Sequence, residues 1–500
     1  MLFNEQTFLF SFFPLTFLVL ILLRKTNFSN RIATLWTLVC SLFFYGFYEW
    51  NHLPLLLLSF SINYFLGKRI CSESNPTLSR FYLVFGIVLN LSILGIFKYS
   101  DFFLQNFSDS SSLGIALPLA ISFFTFQQIA FLVDLNGKKV KCPGLIDYAM
   151  FVSFFPQLIA GPIVRAQVLL PQLQKRALGH LSQEDFWTGV CLFSIGIFKK
   201  AYLADGIRPM VELVFARVAE GSLISFLEAW IGAVAFGMQI YFDFSAYSDM
   251  AVGLGLIFGL KLPINFNSPY KSTSVIEFWR RWHITLSEFL RDYLYKPLGG
   301  NRFGLGRGVA NVFIVMTIGG LWHGAGWNFV IWGVFHGVLI GFNHLFRVLG
   351  KSNASGKIER FGIESFAKWL ITFCLITISW VFFRCESLSV AWEITSSMIG
   401  LNGFDLPRSI ALLAPSEIIR CEGLLPNKIV DQELLPLLLS LIVLVCFFPN
   451  STSLVGFSRI VAGKYSMPSL KIVILSGLLL FLGIKASFES ITLEFIYFKF

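Results

Sequence analysis

The chain has 500 residues, of which 55% are hydrophobic and 57 are Phe, and a formal charge of +10; its mean hydropathy is +0.71. This composition excludes a string of soluble domains and places the chain among polytopic membrane proteins, where one helical bundle uses the full length. The 39 Lys and Arg, against 29 acidic residues, fall in short clusters between apolar runs and not along one stripe. That pattern excludes a nucleic-acid surface and reads as membrane topology.

The first apolar run, at 7–23, has the basic pair Arg24 and Lys25 behind it and no small-residue cleavage site. It is therefore expected to stay as a span and not to be removed as a signal peptide. Runs of spanning length follow near 33–50, 53–66, 81–97 and 113–133. The loops between them alternate in charge. Arg24, Lys25 and Arg31 are followed by a loop with no basic residue, then by Lys68, Arg69 and Arg80, then by Lys98 set against Asp101 and Asp109, then by Lys138, Lys139 and Lys141. By the positive-inside rule the odd loops are cytoplasmic and the N-terminus lies outside.

The segment 151–165 is apolar but short, broken by Pro156, Gly161 and Pro162, and has basic residues on both sides. It is expected to dip in and return as a re-entrant element. Further runs lie near 186–206, 224–241 and 244–260. The polar stretch 261–308 carries eight basic residues against Glu277, Glu288 and Asp292, which assigns it to the cytoplasm. Within it FWRRWH (278–283) reads as an interfacial helix with its rings anchored at headgroup level. The apolar stretch 309–346 is too long for one span of roughly twenty residues and is expected to break within GGLWHGAGW. Spans near 367–383, 434–448 and 470–487 complete an all-α polytopic membrane helical bundle. A Pro- and Gly-containing loop at 384–433 lies outside, and the closing ITLEFIYFKF is aromatic and interfacial.

His323 is the first candidate for chemistry. An imidazole in apolar surroundings tends to be neutral and holds a lone pair able to take a proton from a hydroxyl, and ionisable residues in spans are functional candidates by default. A core histidine bonded to a carbonyl is the competing reading, but the Gly-rich break and the flanking Trp322 favour function. His283 follows Arg280, Arg281 and Trp282, and that Arg pair could hold the phosphates of a nucleotide-bearing donor. His336 packs between helices and could assist His323. Asp243 and Asp249 lie in or at the mouth of an apolar run; a structural hydrogen-bond network with Tyr247, Ser245 or an Arg is favoured over a polar funnel. Gln127, with Thr125 and Gln128, offers polar lining for a tunnel or a link between helices. His52, His180 and His344 are given no role. The eight Cys show no CxxC or Cys/His ligand spacing, so free thiols and no metal are expected. No GxSxG, Walker, GxGxxG or HExxH pattern is present.

The ordered set SFFTFQQIAFLVD, FFPQLIAGPIVR, YFDFSAYSDMAVGLG, NFNSPYKSTSVIEFWRRWHITLSEFLRDYLYKPLGG and GGLWHGAGWNFVIWG resembles the membrane-bound O-acyltransferase family. Within it the likeness is to the branch of bacterial alginate O-acetyltransferase membrane subunits, and the MLFN start and FIYFKF end extend it nearly end to end. The resemblance implies one domain over 1–500, with N-terminal spans (1–133), a catalytic core (134–346) and C-terminal spans (347–500), thinned at its centre. It implies acyl transfer from cytoplasmic acetyl-CoA, with no tightly bound cofactor, to an acceptor across the bacterial inner membrane. The acceptor is a polysaccharide such as alginate, reached directly or through a periplasmic acetyltransferase partner. The family's histidine falls on His323 and its second signature position on His283, and the imidazole is expected to be reachable from both faces. D-alanyl transfer to teichoic acid by a sister branch is the rival enzyme reading. A transporter is the rival of another class, and it predicts inverted repeats that the sequence does not contain.

Overall fold

A computed structural model describes residues 1–25, 30–48, 50–107, 113–175, 178–180, 182–349, 362–404, 434–457, 467–489 and 494–499. Among them there is no strand. In chain order the helices are α1 (Phe13–Lys25), α2 (Asn30–Tyr48), α3 (Leu53–Ser72), α4 (Pro76–Phe107), α5 (Ile121–Asn136), α6 (Leu145–Ser153), α7 (Phe155–Leu158), α8 (Ala166–Gln174), α9 (Gln183–Phe198) and α10 (Asp205–Ala219). They continue with α11 (Phe226–Ile257), α12 (Val275–Arg281), α13 (Ile284–Leu290), α14 (Leu305–His323), α15 (Trp327–Leu349), α16 (Ile363–Arg384), α17 (Leu388–Met398), α18 (Leu434–Phe447), α19 (Ser451–Leu454) and α20 (Leu470–Glu489). Among the described residues, seven helical segments are long and apolar enough to cross a membrane: Phe8–Lys25, Arg31–Tyr48, Pro76–Asn106, Leu305–His323, Trp327–Phe346, Ile363–Arg384 and Leu470–Glu489. The chain is a multi-pass membrane protein.

Several boundaries differ from the sequence reading for identifiable reasons. The run at 113–133 is not a full span. Its helix starts only at Ile121, after an extended stretch and a left-handed Ala120 (φ 62°), because Pro118 offers no N–H and disfavours helix at the residue before it. At 1.5 Å per residue its 16 residues fall short of a hydrocarbon core of roughly 30 Å. The runs 224–241 and 244–260 are one helix, α11; a lone Asp243 between them does not stop a helix where neither Gly nor Pro follows. The run at 186–206 does not end there but continues through a π-helical turn, Lys199–Ala204, into α10. The loop at 384–433 begins with α17, and its remainder from 405 lies outside the described residues.

The chain divides into two compact units: residues 1–201, 244–265 and 451–500, and residues 202–243 and 266–450. The stretch 134–346 is thus shared between them. In the first unit the segment 148–164 is buried throughout. Its chain breaks at Phe154 ahead of Pro156, and its free Phe151 carbonyl accepts from Gln127 Nε2 (2.8 Å) and Gln157 Nε2 (2.7 Å). Non-helical backbone at this depth is tolerated because protein amides, not lipid, surround it. In the same unit Asp249 accepts from Lys199 Nζ (2.8 Å) and Ser451 Oγ (2.5 Å), a structural network as expected, but with a lysine and a serine in place of the Tyr247, Ser245 or Arg named from sequence.

The second unit is built on the α14–α15 hairpin. The expected break falls between His323 and Trp327: Gly324 is extended (φ −166°), and a Cβ there would lie 2.1 Å from the Phe329 ring. The two helices then approach closely, because a Cβ on Gly320 would lie 2.2 Å from Phe329 O and one on Gly333 2.4 Å from Met316 O. Small residues let helix backbones meet in a membrane, where apolar packing alone gives little preference for a partner.

Candidate active site

The second unit gathers its histidines in a cluster of aromatic rings. His323 closes α14 and is 2% exposed. Its imidazole centre lies 4.9 Å from the Trp322 ring, 5.1 Å from Trp332 and 5.2 Å from Phe383. The sequence reading expected a ring reachable from both faces; the structure buries it against these three aromatic neighbours.

His283 stands at the head of α13, fully buried, with its backbone in the left-handed region (φ 40°, ψ 55°). A non-glycine residue held there costs about 1–3 kcal/mol, and such positions cluster at functional sites. Burial pushes its imidazole down to about 3 from the usual value of 6.5, so it is neutral at any physiological pH. Its ring faces Trp322 at 6.3 Å, and Trp322 in turn faces His323.

His336 lies one turn beyond Trp332 on α15, and both its nitrogens are occupied. The Trp279 indole N–H donates to Nδ1 (3.2 Å), so the ring proton sits on Nε2, which donates to Ser379 Oγ (3.1 Å). The serine hydroxyl donates in turn to Ile376 O (2.7 Å). That chain fixes the tautomer and ties α12, α15 and α16 together, a positioning role and not a free base.

FWRRWH does not lie with its rings at headgroup level. Phe278, Trp279 and Trp282 are buried, and Trp282 packs on Phe278 (5.5 Å) and Trp380 (4.9 Å), because seven residues of α12 must bury one face against α15. The helix opens on Ser274, whose hydroxyl accepts from Glu277 N (3.2 Å), while the Glu277 carboxylate turns back onto Thr273 N (3.0 Å). Arg281 is bound to Glu277 (2.8 Å) and Asn267 O (3.3 Å). Arg280 is exposed and, among the described residues, makes no ion pair.

A cavity of about 550 Å³ opens beside α12, α13, α14 and α15. Its walls include Val315 and Met316, its charged residues are Arg280, Glu288 and Arg291, and Trp279 forms part of its lining. Trp279 also packs against Trp332 (5.7 Å) and His336 (5.2 Å), so a single indole has the cavity on one side and the histidine cluster on the other. Arg291 is held by Asp292 through two contacts of 2.9 Å, which leaves Arg280 as the cavity's less committed cation.

Of the residues singled out from sequence, the second unit brings together His283, Trp322, His323 and His336, with Arg280 on the cavity. Trp282 is core and Arg281 closes a loop. Asp243 is buried within α11, and Gln127 secures a backbone carbonyl in the other unit. Sequence reasoning passed over Trp279, Trp332, Ser379 and Phe383, and it gave no role to His344, which lines the cavity. The i,i+4 spacing of Trp332 and His336 was the available signal, since it puts both on one helix face.

The model of the membrane-bound O-acyltransferase family matches residues 136–386. The peptidoglycan O-acetyltransferase of Helicobacter pylori is 42% identical over 436 residues, 81% of each chain. The probable alginate O-acetylase of Pseudomonas aeruginosa is 39% identical over 420 residues, 81% of this chain and 76% of that one. The teichoic acid D-alanyltransferase of Bacillus subtilis is 29% identical over 235 residues, 44% of this chain. With a match of this extent over the histidine cluster and the helices that carry it, the chain belongs to the membrane-bound O-acyltransferase family and is an O-acyltransferase.

Proposed function

We propose that this enzyme takes an acetyl group from cytoplasmic acetyl-CoA and delivers it across the bacterial inner membrane for O-acetylation of an envelope polysaccharide or peptidoglycan, directly or through a periplasmic acetyltransferase partner. The observation that carries the reading is the buried His323 imidazole at the α14–α15 break, packed on Trp332, which in turn packs on the cavity-lining Trp279. The donor phosphates meet Arg280 at the cavity, and the narrow thioester arm follows the Val315 and Met316 wall inward. His323 acts as general base toward the acceptor hydroxyl, and His283 or a nearby N–H donor steadies the oxyanion of the tetrahedral intermediate.

Replacing His323 by Ala in reconstituted protein is expected to lower acetyl transfer from labelled acetyl-CoA by roughly 10²–10⁴-fold; transfer at the wild-type rate would remove this imidazole from the mechanism. The likeness to D-alanyltransferases supports a second reading with an aminoacylated carrier protein as donor, but it covers less than half of the chain. Offering the enzyme acetyl-CoA and the aminoacylated carrier separately distinguishes the two.

A further inference from the structure

Indole N–H groups in this unit show where Trp332 differs. Trp230, Trp279, Trp369 and Trp380 donate their indole N–H groups to Met398 O (3.0 Å), His336 Nδ1 (3.2 Å), Tyr270 O (2.8 Å) and the Tyr270 hydroxyl (3.2 Å). Trp332 is 1% exposed, yet its Nε1 makes no hydrogen bond among the described residues. A buried donor without a partner destabilises the fold, and each such group calls for an explanation. Its ring neighbours are Trp279, His323, His336, Trp380 and Phe383. The His336 acceptor nitrogen is already engaged with Trp279.

The same indole touches the His323 imidazole directly, edge to face with ring centres 5.1 Å apart and planes at 86°. His283 instead faces Trp322. A carbonyl set about 3 Å from a base-activated nucleophile and about 3 Å from a donor needs the two protein groups at a spacing of this order. The Trp332 ring is fixed from several sides, at 4.7 Å by His336, at 5.3 Å by Phe383 and at 6.2 Å by a near-parallel Trp380. A donor held this way needs no reorganisation at the moment of reaction.

We propose that the Trp332 indole N–H is a catalytic hydrogen-bond donor to the carbonyl oxygen of the reacting thioester, a proposal that rests on the acetyl-transfer reading above. The acceptor's hydroxyl oxygen attacks the thioester carbonyl carbon and forms the new C–O bond, while its proton passes to His323. The carbonyl π pair moves onto oxygen, where the Trp332 N–H meets the growing negative charge. When that pair returns, the C–S bond breaks and its electrons leave on sulfur. The proton held by His323 then goes to the thiolate, and a free thiol departs. Because the bond to the oxyanion is stronger than the bond to the ground-state carbonyl, its loss lowers kcat and leaves KM nearly unchanged.

The test uses the full chain in native membrane vesicles supplied with labelled acetyl-CoA, with base-labile acetyl ester as the readout. Two variants remove the N–H: incorporation at 332 of benzothienylalanine, which keeps the ring shape and replaces N–H by sulfur, and Trp332→Phe, which also takes away part of the buried ring. Both are expected to lower kcat by roughly 10²-fold with KM for acetyl-CoA little changed. The thermal midpoint of the benzothienylalanine protein should equal or exceed the wild type's, because no hydrogen bond is lost and an unsatisfied donor is removed, whereas that of Trp332→Phe should fall through the cavity left by the smaller ring. Trp369→Phe, which loses a hydrogen bond away from His323, should keep kcat. Wild-type kcat in the benzothienylalanine protein would overturn the proposal, and so would a kcat loss in that protein accompanied by a lower thermal midpoint, which marks a structural role. If His323→Ala stays active the underlying reading fails; if it is inactive while both 332 variants turn over normally, only the donor role falls.

Discussion

The neutrality of His283 is set by burial. His283 has no access to solvent, and its pKa is depressed relative to the unfolded chain, from 6.5 to about 3. Between those values the unfolded chain binds the proton and the folded one does not. The group's contribution to stability is therefore complete above pH 6.5 and is lost as pH falls toward 3. His283→Asn should flatten the dependence of the thermal midpoint on pH across that window; a profile as steep as the wild type's would show that other groups control it. Arg280 acts by charge alone, on an exposed side chain with little packing to lose. Arg280→Ala is expected to raise KM for acetyl-CoA by roughly tenfold at low salt and by less as ionic strength rises, with kcat little affected. Initial rates at two salt concentrations check this.

At the scale of elements, the active centre depends on how closely α14 and α15 approach. His323 ends one helix and Trp332 and His336 lie within the first half of the next, so their spacing depends on the Gly320–Gly333 contact. A methyl group on Gly320 would meet the Phe329 carbonyl and the Gly333 backbone, neither of which is a flexible side-chain end. Gly320→Ala should destabilise the fold by about 1–3 kcal/mol through overpacking and spread the histidine cluster. A lowered thermal midpoint with reduced kcat is the expected result, and wild-type values for both would show that the hairpin adjusts without cost. The α12–α15–α16 junction is held differently, by directional bonds from Trp279 through His336 to Ser379. It accounts for an imidazole that is fully buried and yet ill placed to take a proton from a substrate.

For the whole molecule, the interleaving of the two units along the sequence means that neither corresponds to a continuous stretch of chain. Helix α11 contributes residues to both, and its uninterrupted run through Asp243 is what allows that. The charge pattern of the sequence assigns 261–308 to the cytoplasm, and on that assignment a cysteine at the exposed Arg302 position should react with an impermeant maleimide in inside-out vesicles only. Labelling from the opposite side would invert the donor and acceptor faces of the enzyme.

By itself the sequence determined the class of fold, the break at GGLWHGAGW and the two histidines most worth testing. Apolar run length, glycine spacing and the cost of an imidazole among hydrocarbon side chains are local properties that need no knowledge of neighbours. It misjudged 113–133, where one proline shortens the helix, and FWRRWH, where rings suited equally to a membrane interface and to a core were assigned to the interface. Only the tertiary structure decided that His336 is bonded at both nitrogens, that Arg281 and Gln127 serve the backbone, and that Trp332 stands against His323 with an unused N–H. Each of those outcomes depends on which atoms the folded helices bring within about 3 Å of one another, and linear spacing along a chain does not encode that.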